Sequence, residues 1–297
     1  MPWIELSLTL HSDQQETIEA ALEDLGALSI TLLDAEDHPI FEPGPGETPV
    51  WPTIKLAALF DVACDRVGLV HALTELVPEI APDQLSFRDV ADEDWVRAWM
   101  DTFQPMQFGR RLWIYPWNIE PPLDDPNAVI VRLDPGLAFG TGTHPTTALC
   151  LEWLDSLDLA GRTLVDYGCG SGVLAIAALK LGATHVIGVD NDPQALQASL
   201  DNAERNGVAD RLELLLPDAY VAKPQDVLVA NILAGPLAEL APVFAQSAKT
   251  LAPFAISGIL AGQDAELLPR YATWFNDLQV SQREDWVRIS GIRAERS

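Results

Sequence analysis

The chain has 297 residues, enough for two ordinary domains, and 48% of them are hydrophobic, enough to bury a sizeable core. Its 18 Lys+Arg face 44 Asp+Glu, a formal net charge of -26; that field repels phosphate backbones, argues against direct nucleic-acid binding, and suits either a basic protein partner or plain solubility. The three cysteines, Cys64, Cys150 and Cys169, have no CxxC spacing and no histidine partners at zinc spacing, which argues against a disulfide framework and a metal site.

The N-terminus lacks a basic segment followed by an apolar one, and no stretch approaches a membrane-spanning length, so a soluble, cytoplasmic protein is expected. Ile4 to Leu10 alternates apolar and polar residues, the pattern of a half-buried strand. Ser12-Asp13 caps a helix carrying Ile18, Ala21, Leu22 and Leu25, and Gly26 ends it. Strands follow at Leu28–Leu33 and Lys55–Phe60, separated by the Pro43-Gly44-Pro45-Gly46 loop. A helix over Val67–Val77 and a strand over Leu85–Val90 complete a β-α-β-β-α-β order, the ferredoxin-like pattern. This first module, residues 1–91, holds no catalytic motif; it is either a recognition module or a packing domain. Residues 92–106 form an amphipathic connecting segment, a helix over Asp92–Phe103 with Trp95, Trp99 and Phe103 one turn apart, stopped by Pro105.

From 107 to 297 the pattern changes. Strands at Leu112–Tyr115 and Ala128–Leu133 lead to a Gly/Thr-rich loop and a helix over Pro145–Leu157. Strands then fall at Thr163–Tyr167, His185–Asp190, Arg211–Leu216, Asp226–Asn231, Phe254–Leu260, Leu278–Arg283 and Trp286–Ile292, with helices starting near Gly172, Pro193, Pro236 and Gln263. Strand–helix alternation predicts a parallel sheet covered on both faces. The last two strands have almost nothing between them and form an antiparallel hairpin. The fold class is α/β, and such a sheet resembles the Rossmann-like seven-stranded methyltransferase fold, here preceded by a small α+β ferredoxin-like domain.

The clearest motif is Val165-Asp166-Tyr167-Gly168-Cys169-Gly170-Ser171-Gly172, which follows a strand and opens a helix. Glycines there let the chain turn sharply and let a ligand touch backbone. Gly168 and Gly170 are therefore candidate cofactor residues. The strand His185–Asp190 ends in an acid roughly twenty residues further on, where Rossmann-like folds bind ribose hydroxyls. Both features fit either NAD or S-adenosylmethionine; the GxGxG spacing is the methyltransferase form. Asn231 ends a later strand on the ligand side and resembles the first residue of the Asn-Pro-Pro-Tyr motif of amino-group methyltransferases. Ile232, Leu233 and Ala234 replace the rest of that motif, which argues against members that stack a nucleobase on its aromatic.

The segment Leu133-Asp134-Pro135-Gly136-Leu137-Ala138-Phe139-Gly140-Thr141-Gly142-Thr143-His144-Pro145-Thr146-Thr147 resembles the signature loop of the ribosomal protein L-eleven (L11) methyltransferases, and the Gly168 and Asn231 segments match too. The resemblance spans nearly the whole chain. It implies that Thr147, Gly168, Asp190 and Asn231 contact S-adenosylmethionine and that Phe139 lines the pocket. It also implies that the first module grips the basic ribosomal protein. An orienting role at the acceptor amine falls to Asn231. His144 is a base by residue type only. Cys169 sits at a helix N-terminus, which lowers a thiol pKa, but nothing near it in sequence supports a nucleophile. Competing readings are a methyltransferase for another protein, a small molecule or RNA, and a non-catalytic acidic escort of a basic ribosomal protein.

Overall fold

Along Trp3–His11 (β1) alternate residues are buried, so one face of the first strand packs inward. This computed structural model describes residues 3–36, 51–90, 103–121, 125–133 and 144–295. The chain divides into two compact units, Met1–Trp95 and Val96–Ser297.

In the first unit β1 is followed by α1 (Gln15–Asp24), β2 (Ser29–Asp34), β3 (Thr53–Asp61), α2 (Arg66–Leu76) and β4 (Ser86–Val90). The sheet order is β2-β3-β1-β4, with every neighbouring pair antiparallel. That is the split βαβ arrangement the sequence order implied. A 3-10 turn over Ser12–Gln14 precedes α1, closed by the His11 N–H donating to Gln14 Oε1 at 3.1 Å, so the helix starts later than Ser12-Asp13 suggested. The buried face of β1 (Leu6, Leu8, Leu10) meets Ile18 and Leu22 of α1 and Leu69 and Leu73 of α2 in one core. The Pro43–Gly46 loop lies outside the described residues, as does the Trp-rich helix except Phe103, which is buried in the core of the second unit.

The second unit opens with a three-stranded sheet, β5 (Met106–Phe108), β6 (Leu112–Tyr115) and β7 (Val129–Arg132). Three residues of β5 are too few to show a period, so sequence reading missed it. Then come α3 (Pro145–Ser156), β8 (Thr163–Tyr167), α4 (Val173–Lys180), β9 (His185–Val189), α5 (Pro193–Arg205), β10 (Leu212–Leu215) and β11 (Val227–Asn231). After these follow α6 (Ala234–Ser247), β12 (Pro253–Leu260), α7 (Asp264–Tyr271), β13 (Phe275–Arg283) and β14 (Trp286–Arg293). The large sheet runs β10-β9-β8-β11-β12-β14-β13, parallel except that β14 is antiparallel to both neighbours. β13 begins at Phe275 rather than Leu278, because an irregularity between Asn276 and Gln279, with Asp277 at φ 54°, breaks the alternation.

Alternate side chains of the buried strands feed two cores. Leu164 joins α3 and α4 on one face, while Val165 joins α6 and α7 on the other. The order reverses between β8 and β11, and such a switch point opens a crevice at the carboxyl ends of the strands. Among the described residues no helix is long and apolar enough to cross a membrane, and no group of His, Cys, Asp and Glu is arranged to hold a metal ion.

Candidate active site

The chain leaving β8 turns through Gly168, Gly170 and Gly172 at φ of 80°, 55° and 80°, left-handed conformations that favour glycine. The N–H groups of Gly168 and Cys169 donate to the Val189 carbonyl at 2.7 and 3.1 Å, clipping the loop to the end of β9. From α5, Ser199 Oγ donates to the Gly170 carbonyl (2.8 Å) and Asn202 Nδ2 to that of Ser171 (2.9 Å). A Cβ on Gly168 would sit 2.0 Å from Ile232 Cγ2. The loop is thus held from three sides, and Gly168 lets the segment after β11 close over it.

Asp190 follows β9 directly. One carboxylate oxygen accepts from the Gly170 N–H (2.8 Å) and the other from the Asp192 N–H (3.0 Å). Each oxygen keeps acceptor capacity beyond that single bond. Asp166, in β8 beneath the loop, is fully buried; Oδ2 accepts from the Ala175 N–H (3.1 Å) and Oδ1 has no hydrogen-bond partner. Burial pushes its pKa up to about 7. Cys169 is buried as well, and desolvation followed by the nearby Asp166 raises its thiol far above the ordinary value. Burial therefore outweighs the helix-terminus effect expected from sequence, and the sulfur stays a protonated, inert loop atom.

The carboxyl end of β11 supplies Asn231, whose Nδ2 donates to Thr147 Oγ1 at 3.3 Å. Thr147 is 1% exposed in the first turn of α3 and does not line the cavity; it stands behind Asn231. The Ile232 N–H donates to the Ser257 carbonyl (3.1 Å), and Gly258, at φ 89°, lies in an irregularity of β12. A Cβ there would fall 2.2 Å from the Ile232 carbonyl oxygen. Sequence reading missed Gly258; the signal was a lone glycine in the apolar run Ile256–Leu260, a usual mark of a bulge or close backbone approach.

His144 caps α3. Its Nδ1 accepts from the Thr146 N–H (3.4 Å) and lies 2.7 Å from Thr146 Oγ1, while its ring packs edge-on against Trp286, centroids 4.6 Å apart at 69°. Burial lowers its pKa, with Glu284 opposing. A neutral ring whose Nδ1 accepts carries its proton on Nε2. Trp286 was also missed; a lone Trp opening a terminal strand carries no local signal of a site.

Gly168, Gly170 and Asp190 on one side, and Asn231, Gly258, His144 and Trp286 on the other, line a single cavity of about 560 Å³. Phe139 lies outside the described residues.

Residues 2–294 match the family described as ribosomal protein L11 methyltransferase (PrmA). The chain belongs to this family. Relatives named ribosomal protein L11 methyltransferase include those of Stenotrophomonas maltophilia (strain R551-3), 54% identical over 99% of both chains, and Tolumonas auensis, 53% identical over 99% of both. A solved ribosomal protein L11 methylase from Lactobacillus delbrueckii subsp. bulgaricus is 31% identical, with a TM-score of 0.58, and covers 65% of this chain and 100% of that one. Membership makes the protein a methyltransferase that depends on S-adenosylmethionine, with the seven-stranded fold and Rossmann-like topology expected from its strand order. The residues present fit that cofactor. Asp190 offers two acceptor oxygens to a vicinal diol, the glycine loop lacks the side chains that would fill the cradle, and Asn231 faces them across the cavity.

Proposed function

We propose that the protein methylates amino groups of ribosomal protein L11, on lysine side chains and at the N-terminal amine. The carrying observation is that Asp190 and Asn231 open into one cavity in a chain whose relatives, matched over 99% of both chains, are named ribosomal protein L11 methyltransferase. The bound cofactor supplies an electrophilic methyl group on a sulfonium, so the protein's task is orientation and electrostatics. Asp190 accepts the ribose hydroxyls, and Gly168 and Gly170 admit the cofactor against backbone. Thr147 fixes the Asn231 amide from behind, and the amide oxygen accepts a hydrogen bond from the acceptor amine and aims its lone pair. Phe139 belongs to the pocket wall in this reading.

A lysine amine, with a pKa of about 10.4, must lose its proton before it attacks. His144 serves as the N-cap of α3, its Nδ1 engaged by Thr146, and is not given the role of base in this reading. Desolvation among Ile232, Leu233 and Trp286 favours the neutral amine, and the proton leaves to solvent. In this reading the first module of the sequence, residues 1–91, serves as the grip on L11, joined through the segment 92–106 to the methyltransferase domain 107–297. The net charge of -26 supports a basic protein, not a nucleic acid, as the macromolecule bound.

Mass spectrometry of L11 after incubation with the protein and S-adenosylmethionine tests the proposal. Methyl groups on lysine and N-terminal amines are expected. An L11 that gains none, while the protein binds the cofactor, overturns the substrate assignment.

A further inference from the structure

Four strand spacings of about 4.8 Å separate β9, with its ribose acid, from β14. The cavity runs across all of them, from Asp190 to Trp286. The cofactor-side residues occupy the β9 and β8 end, and Asn231 stands mid-way. What remains at the far end is aromatic and apolar: the Trp286 indole, the His144 imidazole and the Leu233 side chain, the last 55% exposed at the mouth. None of the three belongs to the glycine loop or the acid that follows it.

The geometry points to Trp286 and His144 as the acceptor wall of this site, against which the aliphatic stem and amine of a substrate lysine lie while Asn231 aims the nitrogen. This assignment rests on the reading of the protein as an amine methyltransferase. Three observations support it. The two rings come from elements remote in sequence, the N-cap of α3 and the first residue of β14, yet pack edge to face at 4.6 Å. The capping bond with Thr146 fixes the imidazole, and the two-residue turn Glu284-Asp285, anchored by the Ala261 N–H to the Asp285 carbonyl at 2.8 Å, fixes the indole. Aromatic faces also suit this substrate class on both counts: they pack against methylenes and attract the ammonium that an amine becomes once methylated.

The full-length protein tests this with L11 as substrate at saturating S-adenosylmethionine. Trp286→Ala should lower kcat/KM for L11 about ten-fold or more, the scale of a lost aromatic–cation contact plus packing. The calorimetric Kd for S-adenosylmethionine should stay within about two-fold, as expected for a residue outside the cofactor subsite. Trp286→Phe should restore most of the loss. His144→Asn keeps a capping side chain on α3 but removes the ring; it should raise KM for L11 without weakening the cofactor, and it carries the test with Trp286→Phe where the alanine variant fails to fold. Full activity in Trp286→Ala, or loss of cofactor affinity in step with loss of rate, overturns the wall. A wild-type protein that binds the cofactor but leaves L11 unmodified overturns the functional reading beneath it.

Discussion

The two sides of the cavity are built by different means. The cofactor side is one continuous stretch from Val165 to Asp190, in which backbone N–H groups of the glycine turn donate to the Val189 carbonyl and the Asp190 carboxylate of the second strand's end. The acceptor side takes His144 from the N-cap of α3, Asn231 from β11, with Thr147 of α3 behind it, Gly258 from β12 and Trp286 from β14. No two of these elements are joined by a tight turn; sheet topology alone brings them together. The first side is fixed by local conformation, the second by long-range packing, so they should fail differently.

Gly168→Ala should break both sides at once and give the largest effect. The left-handed backbone alone costs about 1–2 kcal/mol, and the new methyl would strike Ile232, so cofactor binding and activity should both vanish and thermal stability fall. Retention of cofactor affinity in that variant would show that the loop tolerates displacement. Asn231→Ala should separate the sides. At saturating cofactor the methylation rate should drop about a hundred-fold, the scale of lost orientation, and a near-normal rate would remove Asn231 from the acceptor side. Asp190→Ala should act on the cofactor side only, weakening S-adenosylmethionine by about 1–3 kcal/mol from unpaired polar groups. Unchanged calorimetric affinity would exclude it.

The last effect is on stability and on neither side of the cavity: it concerns the buried Asp166, whose folded-state pKa is raised to about 7. Its stabilising contribution is fully present below the ordinary carboxylate range and is lost as pH rises through about 7. Denaturation midpoints should therefore decline over that window, and Asp166→Asn should flatten the decline. An unaltered pH profile in the variant would assign it to other groups.

The same contrast explains what the sequence disclosed. Strand order, the hairpin and the glycine loop were readable because period and turn chemistry are local: Val165–Gly172 announces itself within eight residues. Asn231 was readable by its place at a strand end. Gly258 and Trp286 were not, because their importance depends on which segments the fold brings against them, Ile232 and His144 respectively. Thr147 was named as a cofactor contact on resemblance; the fold adds that its hydroxyl accepts a hydrogen bond from the Asn231 amide, a pairing 84 residues apart that no local pattern announces. Cys169 misled on the direction of its pKa, since sequence shows a helix start but not the depth at which it lies.

The position of β14 has a consequence for the protein's own synthesis. It is the last described strand in the chain, yet it lies inside the sheet, between β12 and β13, and its first residue is Trp286. A ribosome releases the glycine loop, Asp190 and Asn231 long before this strand. Until Trp286–Arg293 emerges, β12 and β13 have no strand between them, and the cavity lacks one end. The wall of the cavity that Trp286 supplies is therefore synthesised after the glycine loop, Asp190 and Asn231. β13 pairs with β14 alone, so the two form their hairpin locally and the hairpin joins the sheet through the pairing of β14 with β12, the non-local step of the kind that slows folding.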